Sequence, residues 1–262
     1  MDSFTQVEPQ NGRTVRVGER DIYVVELGEG PPLVMLHGGG PGASGMPNFA
    51  RNTSVLSRSF RLIVPDMPGY GRSTKGVDRK DPFGDLASSM LGLLDALNVG
   101  KAHVLGNSLG GSCALRLALE APNRVDRLVL LGPGGIDTSR RPPTDGLMHL
   151  LDYYLDEGPT REKCEQFLRK DLVFDGASLP ETLISERYAA SLDPEVVANP
   201  PLVRPKDLPD PRVLDLTLDP RLSGLEAPTL VLWGVEDRVN PASGGPSLQG
   251  RMPNCDLYLF SR

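Results

Sequence analysis

The sequence is short of several things, and each shortage closes a class of answers. Its 262 residues hold three cysteines, Cys113, Cys164 and Cys255. They show no CxxC pair and no metal-like spacing, so neither a disulfide framework nor a zinc cluster organises the chain, and an odd, scattered set reads as reduced thiols. Basic charge is not in excess: 28 Lys and Arg face 34 Asp and Glu, a net charge of −6, with a pI near 5.2. That argues against a nucleic-acid binder, whose mark is a basic patch and a high pI. No apolar run approaches the roughly 18 residues of a membrane span. Met1-Asp2-Ser3-Phe4-Thr5-Gln6 lacks the basic start and apolar stretch of a signal peptide. A soluble, cytoplasmic protein that binds neither nucleic acid nor membrane is the expectation. Composition is otherwise ordinary, at 39% hydrophobic and 24% charged, and the length suits one large domain or a domain with an inserted cap.

Short apolar runs bounded by turn residues recur at Leu33–Leu36, Leu62–Val64, Val104–Leu105, Leu128–Leu131 and Leu230–Trp233. Runs without polar alternation suit strands buried on both faces, as in a parallel sheet. Between them, Leu86, Met90, Leu93, Leu94 and Leu97 follow a helical period, as do Ala114, Leu115, Ala118 and Leu119 within Ser112–Glu120. Strand and helix in alternation predict an α/β fold with a mostly parallel sheet flanked by helices. The opening Thr14–Glu26 alternates around Gly18-Glu19 and reads as an antiparallel hairpin at the sheet edge. From Ile136 to Leu225 the rhythm breaks into helical patches, Leu147–Leu155, Arg161–Lys170 and Leu179–Ala190. A proline-rich stretch follows, with Pro194, Pro200, Pro201, Pro205, Pro209 and Pro211. The expected organisation is a core of residues 1–135 and 225–262 with a helical cap, or lid, of residues 136–224.

Gly106-Asn107-Ser108-Leu109-Gly110 fits G-x-S-x-G between a strand and a helix, the context in which that pattern makes a nucleophile elbow. The turn lifts the serine hydroxyl above the sheet, and the helix N-terminus behind it offers N–H groups to a developing oxyanion. His37-Gly38-Gly39-Gly40-Pro41-Gly42 follows the first buried run. Glycines there let a backbone N–H approach a substrate oxygen, and no Lys-Ser/Thr pair or GxGxxG spacing makes the segment a phosphate loop. In Trp233-Gly234-Val235-Glu236-Asp237 an acid stands just past a late strand. Asp237 is the candidate triad carboxylate and Glu236 its nearest competitor.

These motifs together resemble the meta-cleavage-product hydrolases, α/β hydrolases that break C–C bonds in bacterial aromatic and steroid breakdown. The resemblance rests on His37–Gly45, Asn48–Asn52, Asp66–Gly71, Gly106–Gly111, Gly132–Gly135 and Gly234–Pro241. It implies an α/β-hydrolase fold in which Ser108 is the nucleophile and Asp237 orients a histidine. Gly39 and Leu109 would provide oxyanion N–H groups, and Gly40, Asn48, Asn107 and Arg187 would hold the dienoate end of the substrate. A guanidinium suits that task because it pairs with a carboxylate in bidentate fashion; a solvated arginine on a cap helix is the alternative for Arg187. The implied substrate is a small vinylogous 1,5-diketone of the 2-hydroxy-6-oxo-dienoate type. No cofactor and no metal are expected, and the oligomeric state stays open. An esterase, another small-molecule hydrolase or a non-catalytic ligand-binding relative would share the scaffold. The chain departs from the family at Met46-Pro47 and Asn199–Pro211, which leaves the acyl-side substrate open.

Histidine is the other shortage. The sequence has three, and none stands in a loop after the last strand, Cys255–Phe260, where the resemblance places the catalytic imidazole and then a closing helix. His37 belongs to the glycine-rich loop, His103 enters the strand at the end remote from Ser108, and His149 lies in the cap. The leading expectation is that the sequence is a piece of a longer enzyme; a natural fragment or pseudoenzyme, or a cap histidine acting as substitute, are the others. Without its base a serine hydroxyl is a weak nucleophile, and loss of a triad histidine costs on the order of 10⁶ in turnover. As written, the chain is expected to be nearly inactive and to expose an apolar sheet face. The complete protein is expected to be a hydrolase acting on C–C bonds.

Overall fold

Eight strands form one sheet in the order β1-β2-β4-β3-β5-β6-β7-β8 in a computed structural model that describes residues 12–205 and 210–261. The residues read above for a leader, Met1 to Gln6, together with Pro209 and Arg262, lie outside the described residues. Strands β1 (Gly12–Val17) and β2 (Arg20–Leu27) make the expected hairpin, and β2 runs antiparallel to β4 (Arg61–Pro65). Every other pairing is parallel, through β3 (Pro32–Leu36), β5 (Ala102–Asn107), β6 (Val125–Leu131), β7 (Thr229–Gly234) and β8 (Cys255–Phe260).

The apolar runs of β3 and β4 are strands covered on both sheet faces, whereas in β7 Val231 and Trp233 are buried on one face and Leu230 is exposed on the other. In β3, Leu33 and Met35 pack with Phe49, while Val34 and Leu36 join the larger cluster on the other face. Phe49 comes from α1 (Gly45–Leu56); the opposite face is covered by α2 (Pro82–Ala96) and α3 (Leu109–Glu120). Side chains alternate across a strand, so a run buried on both faces has no polar gap. Both helices begin earlier than the apolar periodicity predicts. Asp81 caps α2 by accepting from the Gly84 N–H at 3.0 Å, and Pro82 fits the first turn, where its missing N–H costs nothing. Helix α3 starts at Leu109 because Gly110 and Gly111 belong to it, and glycines carry no hydrophobic signal.

Among the described residues no strand lies between β6 and β7. The segment holds α4 (Asp145–Leu151), α5 (Arg161–Gln166) continued by a π turn over Phe167–Leu172, α6 (Glu181–Ser191), α7 (Pro194–Ala198) and α8 (Pro211–Leu214). Thr144 and Thr160 cap α4 and α5 through their hydroxyls. These helices pack their own cluster of Leu150, Tyr153, Cys164, Phe167, Leu168 and Ile184, which meets the remainder of the molecule at Val239. After β7 comes α9 (Gly244–Gln249). On the edge strand β8, Tyr258, Leu259 and Phe260 are exposed. No helix among the described residues is long and apolar enough to cross a membrane.

Candidate active site

Ser108 sits between β5 and α3 with φ 50° and ψ −113°, a left-handed backbone that a residue with a side chain rarely adopts. The surroundings hold it there. Its N–H donates to the Leu131 carbonyl at 2.9 Å, and its own carbonyl accepts from Ser112 and Gly134, both at 3.0 Å. The flanking glycines answer close backbone approach. A Cβ on Gly106 would fall 2.2 Å from the Gly110 oxygen, and one on Gly110 would fall 2.1 Å from the Leu36 oxygen. The second contact lashes the nucleophile turn to the end of β3, where the glycine-rich loop begins.

That loop is braced by His37. The buried ring accepts from the Met67 N–H at Nε2, 2.9 Å away, so Nδ1 carries the proton and donates to the Gly38 carbonyl at 2.8 Å. Burial pushes the His37 pKa below its ordinary range, against the nearby Asp66 carboxylate, which raises it. Asp66 ties the loop further on, accepting from the N–H groups of Gly45 at 2.7 Å and Arg72 at 2.9 Å. The Gly38 N–H is taken by Asn48 Oδ1 at 3.1 Å, and the Tyr70 hydroxyl donates to the Gly39 carbonyl at 3.1 Å. Leu109 opens α3, so its N–H has no acceptor within the helix, and its side chain lies 2.9 Å from the position a Cβ on Gly39 would take.

Asp237 stands in the turn after β7. Its Oδ1 accepts from the N–H groups of Val239 and Asn240 at 2.9 and 2.8 Å, and its Oδ2 from the Trp233 indole at 3.2 Å. Burial holds its carboxyl above the usual carboxylate range, and these three donors work against that shift. Glu236 also borders the site. A side chain to which sequence reasoning gave no role meets the Ser108 hydroxyl: Asn240 Nδ2 lies 3.3 Å from Ser108 Oγ and donates to the Gly132 carbonyl at 3.0 Å.

None of the three histidines hydrogen-bonds Ser108. His37 is spent on its brace, His103 lies 3.2 Å from Asp126, and His149 lies 2.9 Å from Asp171. Among the described residues Ser108 therefore has no imidazole partner, and the half-exposed His149 is engaged elsewhere.

Arg187 reaches the site from α6. The helix docks on the glycine-rich loop: a Cβ on Gly42, whose φ is +58°, would lie 2.1 Å from the Arg187 carbonyl oxygen. The guanidinium donates from Nε to the Pro41 carbonyl at 2.6 Å. It is half-buried, and desolvation pulls its pKa down, opposed by Cys164 and the tyrosines around it. An arginine nonetheless remains a cation. Among the described residues no carboxylate lies within salt-bridge distance of it, so it is a half-buried charge on the cavity wall without a counter-ion. Such a charge is costly unless something anionic meets it.

These groups share one cavity of about 540 Å³, within the usual range for a small-molecule site. Gly39, Gly40, Asn48, Asn107, Ser108, Arg187 and Asp237 line it; Leu109 does not and lies buried behind Ser108. Asn107 Nδ2 donates to the Leu131 carbonyl at 3.3 Å. Phe167, whose ring lies 3.0 Å from a Cβ position on Gly40, and Asp171 complete the helical side. A helical stripe in the sequence marks Phe167 as buried but gives no sign that it faces a cavity.

Residues 31–261 match the alpha/beta hydrolase fold family. A 2-hydroxy-6-oxo-6-phenylhexa-2,4-dienoate hydrolase of Burkholderia cepacia is 35% identical over 246 residues, which cover 92% of this chain and 83% of that protein. A 2-hydroxy-6-oxononadienedioate/2-hydroxy-6-oxononatrienedioate hydrolase of Burkholderia vietnamiensis is 38% identical over 273 residues, covering 100% of this chain and 91% of that one. Among solved structures, a meta-cleavage product hydrolase from Pseudomonas fluorescens, a serine-to-alanine mutant complexed with acetates, superposes with a TM-score of 0.83. It is 29% identical, with 96% of this chain and 90% of that one covered.

Proposed function

Since this chain belongs to the alpha/beta hydrolase fold family and, within it, to the meta-cleavage-product hydrolases, we propose that its cavity hydrolyses the C5–C6 bond of a 2-hydroxy-6-oxo-dienoate. The observation that carries the substrate class is Arg187: a half-buried guanidinium without a counter-ion among the described residues, on the wall of the serine cavity, suits a substrate that brings its own carboxylate. A simple ester brings none.

In this reading residues 136–224 act as the lid over a core of residues 1–135 and 225–262, and the lid delivers Arg187. The carboxylate sits on Arg187, with Gly40, Asn48 and Asn107 beside it. Carbon is a poor leaving group, so the dienol is first ketonised, a proton adding at C5. Ser108 Oγ then attacks the C6 carbonyl carbon while the N–H groups of Gly39 and Leu109 stabilise the oxygen that gains charge. The C5–C6 bond breaks, and its electron pair runs through the conjugated system to the C2 oxygen. Water releases the acid. Asp237 is the acid of the triad and orients the imidazole that serves Ser108 as base; the described histidines do not take that part.

The test is a comparison of substrates with and without the carboxylate. A dienoate and its methyl ester are offered to the protein expressed from its own gene. The reading requires the free acid to be favoured by about 100-fold or more in kcat/KM, the order expected for one buried charge pair; equal use of the two would overturn it.

A further inference from the structure

The cavity has two ends, and their charges differ. Arg187 marks the end against the glycine-rich loop, near Gly40 and Pro41. Asp171 marks the other. Its Cβ lies 3.1 Å from the position a side chain on Gly146 would take, and the Arg238 carbonyl oxygen lies 2.6 Å from that same position. Asp171 therefore stands beside the loop after β7, whereas Arg187 stands at the loop after β3, and Ser108 follows β5, which lies between β3 and β7 in the sheet. Around it the wall is apolar, through Leu150, Phe174 and Val239.

Asp171 is a wall residue with a side chain only 10% exposed. Its Oδ2 meets His149 Nδ1 at 2.9 Å, and among the described residues its Oδ1 accepts no hydrogen bond. His149 stands behind it, does not line the cavity and is 42% exposed. Arg238 and Lys170 are exposed and also lie off the wall, Arg238 donating to the Lys170 carbonyl. Among the described wall residues Arg187 is the one cation, against three carboxylates, Asp171, Glu236 and Asp237.

We propose that Asp171 determines acyl-end specificity: with it, the cavity selects dienoates whose substituent at C6 is uncharged over dienoates that carry a second carboxylate there. The inference rests on the dienoate reading above. One carboxylate is met by Arg187. A second, held past Ser108, enters the β7 side of the cavity, where the charged wall groups are carboxylates, with no cation among the described wall residues there to offset it. Specificity of this kind comes from a built-in repulsion and not from an added contact. The two curated relatives described above carry the two alternatives in their names, a 6-phenyl dienoate and a nonadienedioate.

The experiment offers both compounds to the wild-type protein and to Asp171→Asn, at pH 8, above the ordinary range of an imidazole. Binding is followed by quenching of Trp233, the sequence's single tryptophan and a wall residue; turnover is followed by loss of dienoate absorbance. The wild type should favour the 6-phenyl compound by at least about 30-fold, and Asp171→Asn should raise the relative use of the dioate by about 10-fold, the order expected from removing one like charge at close range in a partly desolvated site. Asp171→Ser, smaller and equally uncharged, should move the ratio in the same direction. A wild type that uses the dioate as well as the phenyl compound overturns the proposal, as does a ratio unmoved in both variants. If neither dienoate binds or turns over, the dienoate reading itself fails and the selectivity falls with it; binding of the dioate alone overturns the selectivity and leaves that reading standing.

Discussion

Replacing Arg187 by methionine should weaken the site and strengthen the fold. The side chain is half-buried and hydrogen-bonded once to protein, to the Pro41 carbonyl at 2.6 Å, with no carboxylate in reach among the described residues. Desolvating an ion costs several kcal/mol, and a hydrogen bond from a charged donor returns about 1.5–3 kcal/mol. A methionine of similar length keeps the packing against Phe167 and removes the charge, so unfolding free energy should rise by about 1 kcal/mol, or roughly 2–4 °C in Tm. The same change leaves a bound dienoate's carboxylate buried without its cation, a loss of about 3–5 kcal/mol, equal to roughly 100- to 3,000-fold in kcat/KM at about 1.4 kcal/mol per decade. Thermal unfolding without ligand, paired with dienoate binding followed through Trp233, reads both effects. The signs must be opposite. A variant that binds dienoate within twofold of wild type refutes the argument, and one that loses several degrees of Tm shows that Arg187 serves the fold instead.

Two further predictions concern the scaffold. Gly110→Ala places a Cβ 2.1 Å from the Leu36 oxygen and 2.6 Å from the His37 oxygen; backbone must move, so urea unfolding should show a loss of about 2–4 kcal/mol, and a loss below 0.5 kcal/mol would contradict the close packing of elbow and loop. His37 has a folded pKa pushed down by burial, so the unfolded chain takes up a proton that the folded chain refuses; its contribution to stability is complete above about pH 6.5 and declines by up to about 1.4 kcal/mol per unit as pH falls toward the folded value. Nitrogen NMR should find His37 as the neutral Nδ1–H tautomer at pH 6, and a fully protonated ring there would contradict the brace.

The sheet was legible because its strands are continuous apolar runs: Leu33–Leu36 is buried on both faces, and in Leu128–Leu131 Val129 and Leu131 keep the run apolar although they are only half-buried. The elbow and the acid were legible for another reason, since steric demands at Gly106 and Gly110 and the position of Asp237 after a late strand are written locally. What escaped depends on partners far along the chain. The first turns of α2 and α3 are set by a cap at Asp81 and by glycines, neither of which contributes to an apolar period. Asn240 was visible as a letter in Gly234–Pro241, yet its place beside Ser108 follows from contacts across more than a hundred residues. Asp171 falls just past the helical patch Arg161–Lys170 and carried no signal in the sequence; only the packing of α4 and the π turn against the β7 loop places it on the wall. For Arg187 the sequence left two readings open; its half-buried place on the cavity wall, bonded to the Pro41 carbonyl and away from every described carboxylate, favours the substrate-binding one.

The measurement that bears most directly on the central claim is product analysis with the 6-phenyl dienoate in ¹⁸O-labelled water, using protein expressed from its own gene and its Ser108→Ala variant. The account predicts benzoate and 2-hydroxypenta-2,4-dienoate in equal amounts. Label should appear in the benzoate carboxylate, and cleavage should fall by at least about 10³-fold in the variant. An intact dienoate after prolonged incubation, or cleavage that survives the loss of the Ser108 hydroxyl, would contradict it.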